Sequence, residues 1–237
     1  FTNACTPLGV IDFHGSPIYV SPVKIYDKLW FSKLIEYMSK IFIISAPSGC
    51  GKTTLVNELC KSYSFLQQTI SHTTRKIRGN ETDGIDYIFI NNEEFTTKIK
   101  NKDFIEYQNV YDNLYGTSFS SIKEITDSGK DAILEIDYKG MLSIKKAIPS
   151  AISIYIQPPS ISELKLRLKS RAMDSDEVID KRVSHAAREL PFSKFSDYTV
   201  INDNFNSAVK SLKAIILQTK IQCKIDINTL NKSFESC

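Results

Sequence analysis

The sequence predicts an α/β protein: a parallel sheet core flanked by helices, carrying an inserted mixed α+β region and a helical lid. Three observations lead there. Short apolar, β-branched runs alternate with helix-forming stretches, the pattern of a parallel sheet whose crossovers are helices. The stretch "APSGCGKTT" (46–54) stands where one such run turns into a helix, a place suited to holding phosphate. Between about 70 and 120 the pattern gives way to a polar block, rich in Tyr and Thr, that reads as an insertion.

Taken in order, residues 1–22 contain Pro7, Pro17 and Pro22 and read as irregular. In 24–40, Leu29, Trp30, Leu34 and Met38 fall near helical spacing and predict a short amphipathic helix. "KIFIIS" (40–45) is a strand buried on both faces. Lys52–Ser62 follows as a helix with Leu55, Leu59 and Cys60 on one face. Inside the insertion, "DYIFI" (86–90) is strand-like. "AILEI" (132–136), "AISIYIQ" (151–157) and "YTVI" (198–201) are further buried strands. The lid is placed at about 160–185, on a helical segment of mixed charge. Phe205, Ala208, Val209, Leu212, Ile215 and Ile216 form the stripe of a closing helix. The expected organisation is an N-terminal extension (1–39), a domain (40–217) and a C-terminal tail (218–237).

Composition narrows the partners. The 237 residues hold 30 Lys+Arg against 27 Asp+Glu, a net charge of +3, too balanced to indicate a nucleic-acid partner. Cys5, Cys50, Cys60, Cys223 and Cys237 are odd in number, widely spaced and without a CxxC pair. That speaks against a disulfide framework or zinc site and for a reducing, cytoplasmic setting. No apolar run reaches the ~18 residues of a membrane span. The first 40 residues lack a secretory pattern. His14, His72 and His185 do not cluster, so no base–nucleophile or metal constellation involves them.

The 46–54 stretch has the parts of a phosphate cradle. Glycines let backbone N–H groups turn inward around an anion, and the following helix adds its N-terminal donors. Lys52 supplies positive charge to terminal phosphates, and Thr53 supplies a hydroxyl for Mg²⁺. Ala46, Pro47, Ser48, Gly49, Cys50, Gly51 and Thr54 complete the loop. Ala46 stands where glycine is usual, and its methyl is tolerated if its φ is negative. The competing reading is a Gly/Ser turn before a surface helix.

With "SHTTRKIRGNETDGIDYIF" (71–89), "FIEY" (104–107), "YGTS" (115–118), "LEIDYKG" (134–140), "RLKSRAMDSDEVIDKR" (167–182) and "VINDNF" (200–205), the chain resembles the guanylate kinases across about 40–217. The resemblance implies Mg²⁺-dependent phosphoryl transfer from ATP to GMP or dGMP by a monomer or homodimer, with no nucleic-acid or membrane partner. It implies that Arg75, Arg78, Tyr87 and Tyr115 hold the GMP phosphate. Ser71, Glu106, Thr117 and Asp137 would contact the guanine or lie beside it. Arg171 and Arg182 would close over the ATP phosphates, and Asn202 would sit near the adenine. Lys139 departs from the glutamine usual in this family.

The chemistry of those side chains is compatible. Arginine's planar fork suits phosphate, although an isolated RKIR is more often a solvated basic turn, and it is the neighbouring phosphate loop with Tyr87 and Tyr115 that favours a site. A carboxylate such as Glu106 accepts from guanine N1–H and N2–H₂ in one plane, and the Thr117 hydroxyl can donate to O6. Asp137 follows a strand, where open α/β sheets bind ligands. Glu135, on the same strand, is not included in the site. Arg167 is a weaker candidate than Arg171 or Arg182, and an exposed salt-bridged helix competes for that segment. Two rival functions stand beside this one: a kinase of the same fold with another phosphorylated acceptor, and a non-catalytic scaffold module binding phosphorylated partners.

Overall fold

A computed structural model describes residues 10–11, 17–18, 39–79, 81–110, 112–170 and 175–235, with backbone only at 10–11, 17–18 and 222–235. The helix expected at 24–40 falls outside this set apart from Ser39 and Lys40. Strands β1 (Val10–Ile11) and β2 (Pro17–Ile18) pair antiparallel.

The core sheet contains β3 (Ile41–Ser45), β4 (Leu66–Gln68), β9 (Asp131–Ile136), β10 (Ile152–Gln157) and β11 (Tyr198–Ile201). Its order is β11-β10-β3-β9-β4, with every pairing parallel. The apolar runs 40–45, 132–136, 151–157 and 198–201 are therefore strands of one sheet, but "YTVI" is an edge strand with only Val200 buried, not the buried strand expected, because it pairs on one side alone. β4 was not anticipated. Its three residues, Leu-Gln-Gln, are mostly polar and pair on one side only, so no apolar run marks them.

Alternation along the strands divides the core into two layers. Phe42 and Ile44 of β3 point to one face with Ile133, Ile154 and Ile156. Helices α1 (Lys52–Ser62), α5 (Ile161–Ser170) and α7 (Phe205–Glu235) cover that face through Leu55, Leu59, Leu164, Leu168, Leu212 and Ile216. Ile43 points to the other face with Leu134 and Tyr155. Helices α3 (Phe119–Asp127) and α4 (Tyr138–Ala147) close it through Ile122, Ile125, Met141 and Ile144. Each fully buried aliphatic side chain contributes roughly 1.5–3 kcal/mol, so these layers are the main source of stability.

The polar block is a second sheet. β5 (His72–Thr73), β6 (Ile88–Phe89), β7 (Phe104–Val110) and β8 (Asn113–Ser118) run in the order β6-β5-β8-β7. β5 and β6 are parallel, and the other pairs are antiparallel. The strand expected at 86–90 is confined to Ile88–Phe89. Helix α2 (Asn92–Lys100) starts with a reciprocal capping box between Asn91 and Glu94 and packs Phe95 against Phe104. Helix α4 lies against β7 and joins the inserted sheet to the core.

The segment expected to form the lid holds α5 and α6 (Asp176–Glu189), linked by the Lys165–Asp180 and Lys169–Asp176 ion pairs. The closing helix does not stop at 217. It continues as one helix to Glu235. Beyond 217, Lys220 donates to the fully buried Asp131 at 2.6 Å.

Candidate active site

Ligands in parallel α/β sheets collect beyond the carboxyl ends of the strands. Here those ends bring together the 46–51 loop after β3, Asp137 after β9, Gln68 on β4 and Asn202 after β11.

The loop turns on two glycines in the left-handed region, Gly49 (φ 92) and Gly51 (φ 83). A side chain on Gly49 would also meet Leu168 Cδ2 at 2.8 Å, and one on Gly51 would meet Asn202 Nδ2 at 2.9 Å. Ala46 is buried and outside the positive-φ set, so its methyl is tolerated. Pro47 and Cys50 are buried, whereas Ser48, Thr53 and Thr54 are exposed. Gly51 caps α1 without any side-chain hydrogen bond, and the first turn holds no acidic residue. By contrast, Asn91, Ser118 and Asp137 cap α2, α3 and α4 with side-chain oxygens. The α1 terminus thus keeps amide donors and its positive dipole end for an anion.

Lys52 extends from this helix toward β9 and donates to the Ile136 carbonyl at 2.9 Å. Thr53 Oγ1 donates to Glu135 Oε1 at 2.5 Å, and Gln68 Nε2 donates to Glu135 Oε2 at 3.1 Å. Glu135, left out of the sequence-based site, therefore stands beside the hydroxyl expected to meet Mg²⁺. Among the described residues no cluster of three His, Cys, Asp or Glu side chains gathers to cage a metal. The hard oxygens of Thr53 and Glu135 fit Mg²⁺, which keeps waters and phosphate oxygens in its shell and needs few protein ligands.

Arg182 reaches the loop from α6, its Nη2 donating to Ser48 Oγ at 2.7 Å. Arg171 lies outside the described residues. Arg167 donates to the Asn202 and Asp203 carbonyls at 2.8 and 3.1 Å and pairs with Glu163. Asn202 is buried, and its amide donates to the Cys50 carbonyl at 2.8 Å. In the structure Asn202 holds the shape of the loop.

The inserted sheet supplies the second half of the site. Glu106 on β7 is 8% exposed, and its Oε1 accepts from the Thr117 amide and hydroxyl at 3.1 and 2.8 Å. The register between β7 and β8 sets Glu106 opposite Thr117. Ser71 Oγ lies 3.3 Å from Thr117 Oγ1 and extends the polar chain. A Cβ on Gly140 would lie 3.0 Å from Glu106 Oε2, so only glycine fits there without displacing the carboxylate. Asp137 caps α4 by accepting from Gly140 N at 2.8 Å. Lys139, the departure from the family pattern, is exposed.

Burial raises the Glu106 pKa to about 7, with Asp137 pushing the same way and Thr117 and Lys52 opposing. Desolvation disfavours the charged form of a buried carboxyl unless donors reach it. Lys52 on the Ile136 carbonyl and Asp137 on the amide of Gly140, which packs against Glu106 Oε2, link the two halves of the site.

Arg75 is 8% exposed and forms a two-point ion pair with Glu81. Its Nε donates to the Tyr115 hydroxyl at 3.2 Å, and its guanidinium carbon lies 5.4 Å from the Tyr87 ring centre. Tyr87 and Tyr115 meet edge to face. Arg78 is exposed, and its backbone amide donates to Glu81. The structure brings together Arg75, Tyr87 and Tyr115, with Arg78 on the same loop. It also adds Glu81, which no sequence spacing singled out.

The chain is similar to proteins of known name. A family model described as guanylate kinase matches residues 38–219. The chain is 44% identical over 183 residues to a guanylate kinase of Hydrogenovibrio crunogenus, covering 77% of this chain and 89% of that one. It is 38% identical over 195 residues to that of Geobacter metallireducens, covering 82% and 96%. The crystal structure of guanylate kinase from Anaplasma phagocytophilum superimposes with a TM-score of 0.65 at 28% identity, covering 78% of this chain and 89% of the other. From the loop to the lid, the chain belongs to the guanylate kinase family.

Proposed function

We propose that the chain transfers the γ-phosphoryl group of ATP to GMP, giving ADP and GDP, with Mg²⁺ as cofactor. The observation that carries this reading is the shared anchor after β9: Lys52 of the phosphate cradle donates to the Ile136 carbonyl, and Gly140 packs against the buried Glu106 that accepts from Thr117. One side suits a polyphosphate, and the other suits the donor edge of guanine.

The 46–54 loop and Lys52 bind the ATP β- and γ-phosphates, and Asn202 keeps that loop in shape. Thr53, with Glu135 beside it, holds Mg²⁺, which neutralises charge on the phosphates. Arg182, together with Arg171, completes the positive surround when α5 and α6 close. Glu106 and Thr117, backed by Ser71 and Asp137, select guanine. Adenine would leave Glu106 without N–H partners, and an unpaired buried polar group is costly. Arg75, Arg78, Tyr87 and Tyr115 hold the GMP phosphate. One of its anionic oxygens attacks the γ-phosphorus in line, and the bond to the ADP oxygen breaks. Alignment and charge neutralisation suffice, so no general base is required. Closure excludes water, which would otherwise take the phosphoryl group. The odd number of widely spaced cysteines supports a cytoplasmic setting.

The test is turnover with ATP across GMP, dGMP, AMP, CMP and UMP, using wild type and Lys52→Ala. The expected result is GMP-selective activity lost in the variant. A preference for another acceptor, or unimpaired Lys52→Ala, contradicts the reading. A non-catalytic scaffold would turn over none of them. The presence of Lys52, Thr53 and Arg182 together speaks against that alternative.

A further inference from the structure

Glu81 lies in the irregular segment between β5 and β6. Its carboxylate meets Arg75 end-on: Nη1 donates to Oε2 at 2.9 Å and Nη2 donates to Oε1 at 2.8 Å. Nη1 also donates to the Lys76 carbonyl at 2.8 Å, and Nε donates to the Tyr115 hydroxyl at 3.2 Å. A guanidinium has five N–H bonds. These contacts engage all of them except one on Nη2. That bond and Nε–H form the side edge of the fork, where Tyr115 already stands. The rings of Tyr87 and Phe89 lie 5.4 and 5.7 Å from the guanidinium carbon and limit its swing. Glu81 Oε2 also accepts the Arg78 backbone N–H at 2.9 Å. One carboxylate thus ties together Arg75 and Arg78 and, through Arg75, the Tyr115 hydroxyl.

We propose that Glu81 is a positioning residue for the acceptor's phosphate. It occupies the end-on face of Arg75 and so presents the side-on face, with Tyr115, to the monophosphate group. This rests on the reading of Arg75, Arg78, Tyr87 and Tyr115 as the GMP phosphate site. A long side chain left without such a lock spreads over many rotamers, and binding must then order it. Two-point carboxylate pairing removes that cost in advance and fixes the plane of the fork. Glu81 differs from a competitor for the phosphate because it uses a different edge of the fork and is anchored separately on the Arg78 amide.

The experiment uses the full chain as wild type, Glu81→Gln, Glu81→Ala and Glu81→Asp. Steady-state kinetics give KM for GMP, KM for ATP and kcat, and calorimetry gives the affinity for guanosine, which has no phosphate. Losing a charge-assisted pair predicts a GMP KM higher by roughly 10- to 30-fold in Glu81→Gln and Glu81→Ala. Glu81→Asp, which keeps the charge on a shorter stem, falls between them and wild type. The ATP KM, kcat and guanosine affinity stay within about threefold of wild type, as expected when only phosphate binding is weakened. A GMP KM unchanged or lowered in both Glu81→Gln and Glu81→Ala overturns the proposal, and a lowered one marks Glu81 as a competitor. Equal losses of guanosine and GMP affinity also overturn it, because they report general damage to the inserted sheet. A wild-type chain that fails to phosphorylate GMP defeats the acceptor reading itself. A wild-type chain that succeeds beside unaffected variants defeats only the role of Glu81.

Discussion

At Glu106, burial lifts the carboxyl to about 7, while the proposed contact with guanine's two N–H donors requires it ionised. Guanosine, which has no titrating phosphate, should bind about tenfold more weakly at pH 6 than at pH 8, because the ionised fraction falls by that factor. Calorimetry at the two pH values measures this, and Glu106→Gln should bind weakly at both. The same shift has a consequence for stability. The folded pKa lies above the unfolded value near 4.5, so the folded state holds more protons between those limits. Nucleotide-free stability therefore falls as pH rises from about 4.5 to about 7, and Glu189, raised mainly by burial, acts in the same direction. Urea denaturation across that range should show a shallower decline in Glu106→Gln. Lys52→Ala should lower kcat by roughly 10²–10³, the usual loss when one charged donor to a transition state is removed. Lys52 and Thr53 were legible in the sequence because the phosphate-loop motif states their chemistry, whereas Glu106 was legible only through the family resemblance. Glu135 and Glu81 were not. Thr53 and Glu135 are 82 positions apart, and only the pairing of β3 with β9 brings them together. Glu81 sits in an irregular turn where no period marks a partner.

Among the elements, the buried strands were legible because both of their faces lie against helices and must be apolar, as Phe42, Ile43 and Ile44 show. β4 escaped because Gln67 and Gln68 serve an edge strand with one paired side. The closing helix also runs further than its apolar stripe indicates. The apolar stripe fades after Ile216, yet α7 continues, and its next turn is held by charge through Lys220 on Asp131. Asp131 is fully buried and also accepts the Lys40 amide at 2.9 Å, so it ties the start of β3, the start of β9 and α7 together. Breaking a buried pair by removing one partner leaves a buried charge uncompensated. Lys220→Met should therefore destabilise the fold by about 2–4 kcal/mol, read from urea denaturation. A chain ending at 217, which lacks Lys220, should lose at least as much. If Lys220→Met matches wild type, the ion pair adds nothing to the packing of α7.

For the whole molecule, the parallel order β11-β10-β3-β9-β4 turns all five carboxyl ends toward one edge, and α4 docks the inserted sheet beside it. This arrangement was legible as a class because alternating strands and helices admit few topologies. The mutual placement of the two halves was not, since it depends on Gly140 accommodating Glu106 and on β8 pairing with both β5 and β7. Helix α6 adds Arg182 at Ser48, the contact through which the proposed closure would be felt at the loop. If cradle, acceptor pocket and lid act as one device, phosphate should pass from nucleotide to nucleotide without reaching water. The most direct measurement follows the label of [γ-³²P]ATP in the presence of GMP. The account predicts that nearly all transferred label appears in GDP and that omission of GMP leaves ATP largely intact. Label released mainly as inorganic phosphate, or ATP consumed equally without GMP, would contradict it.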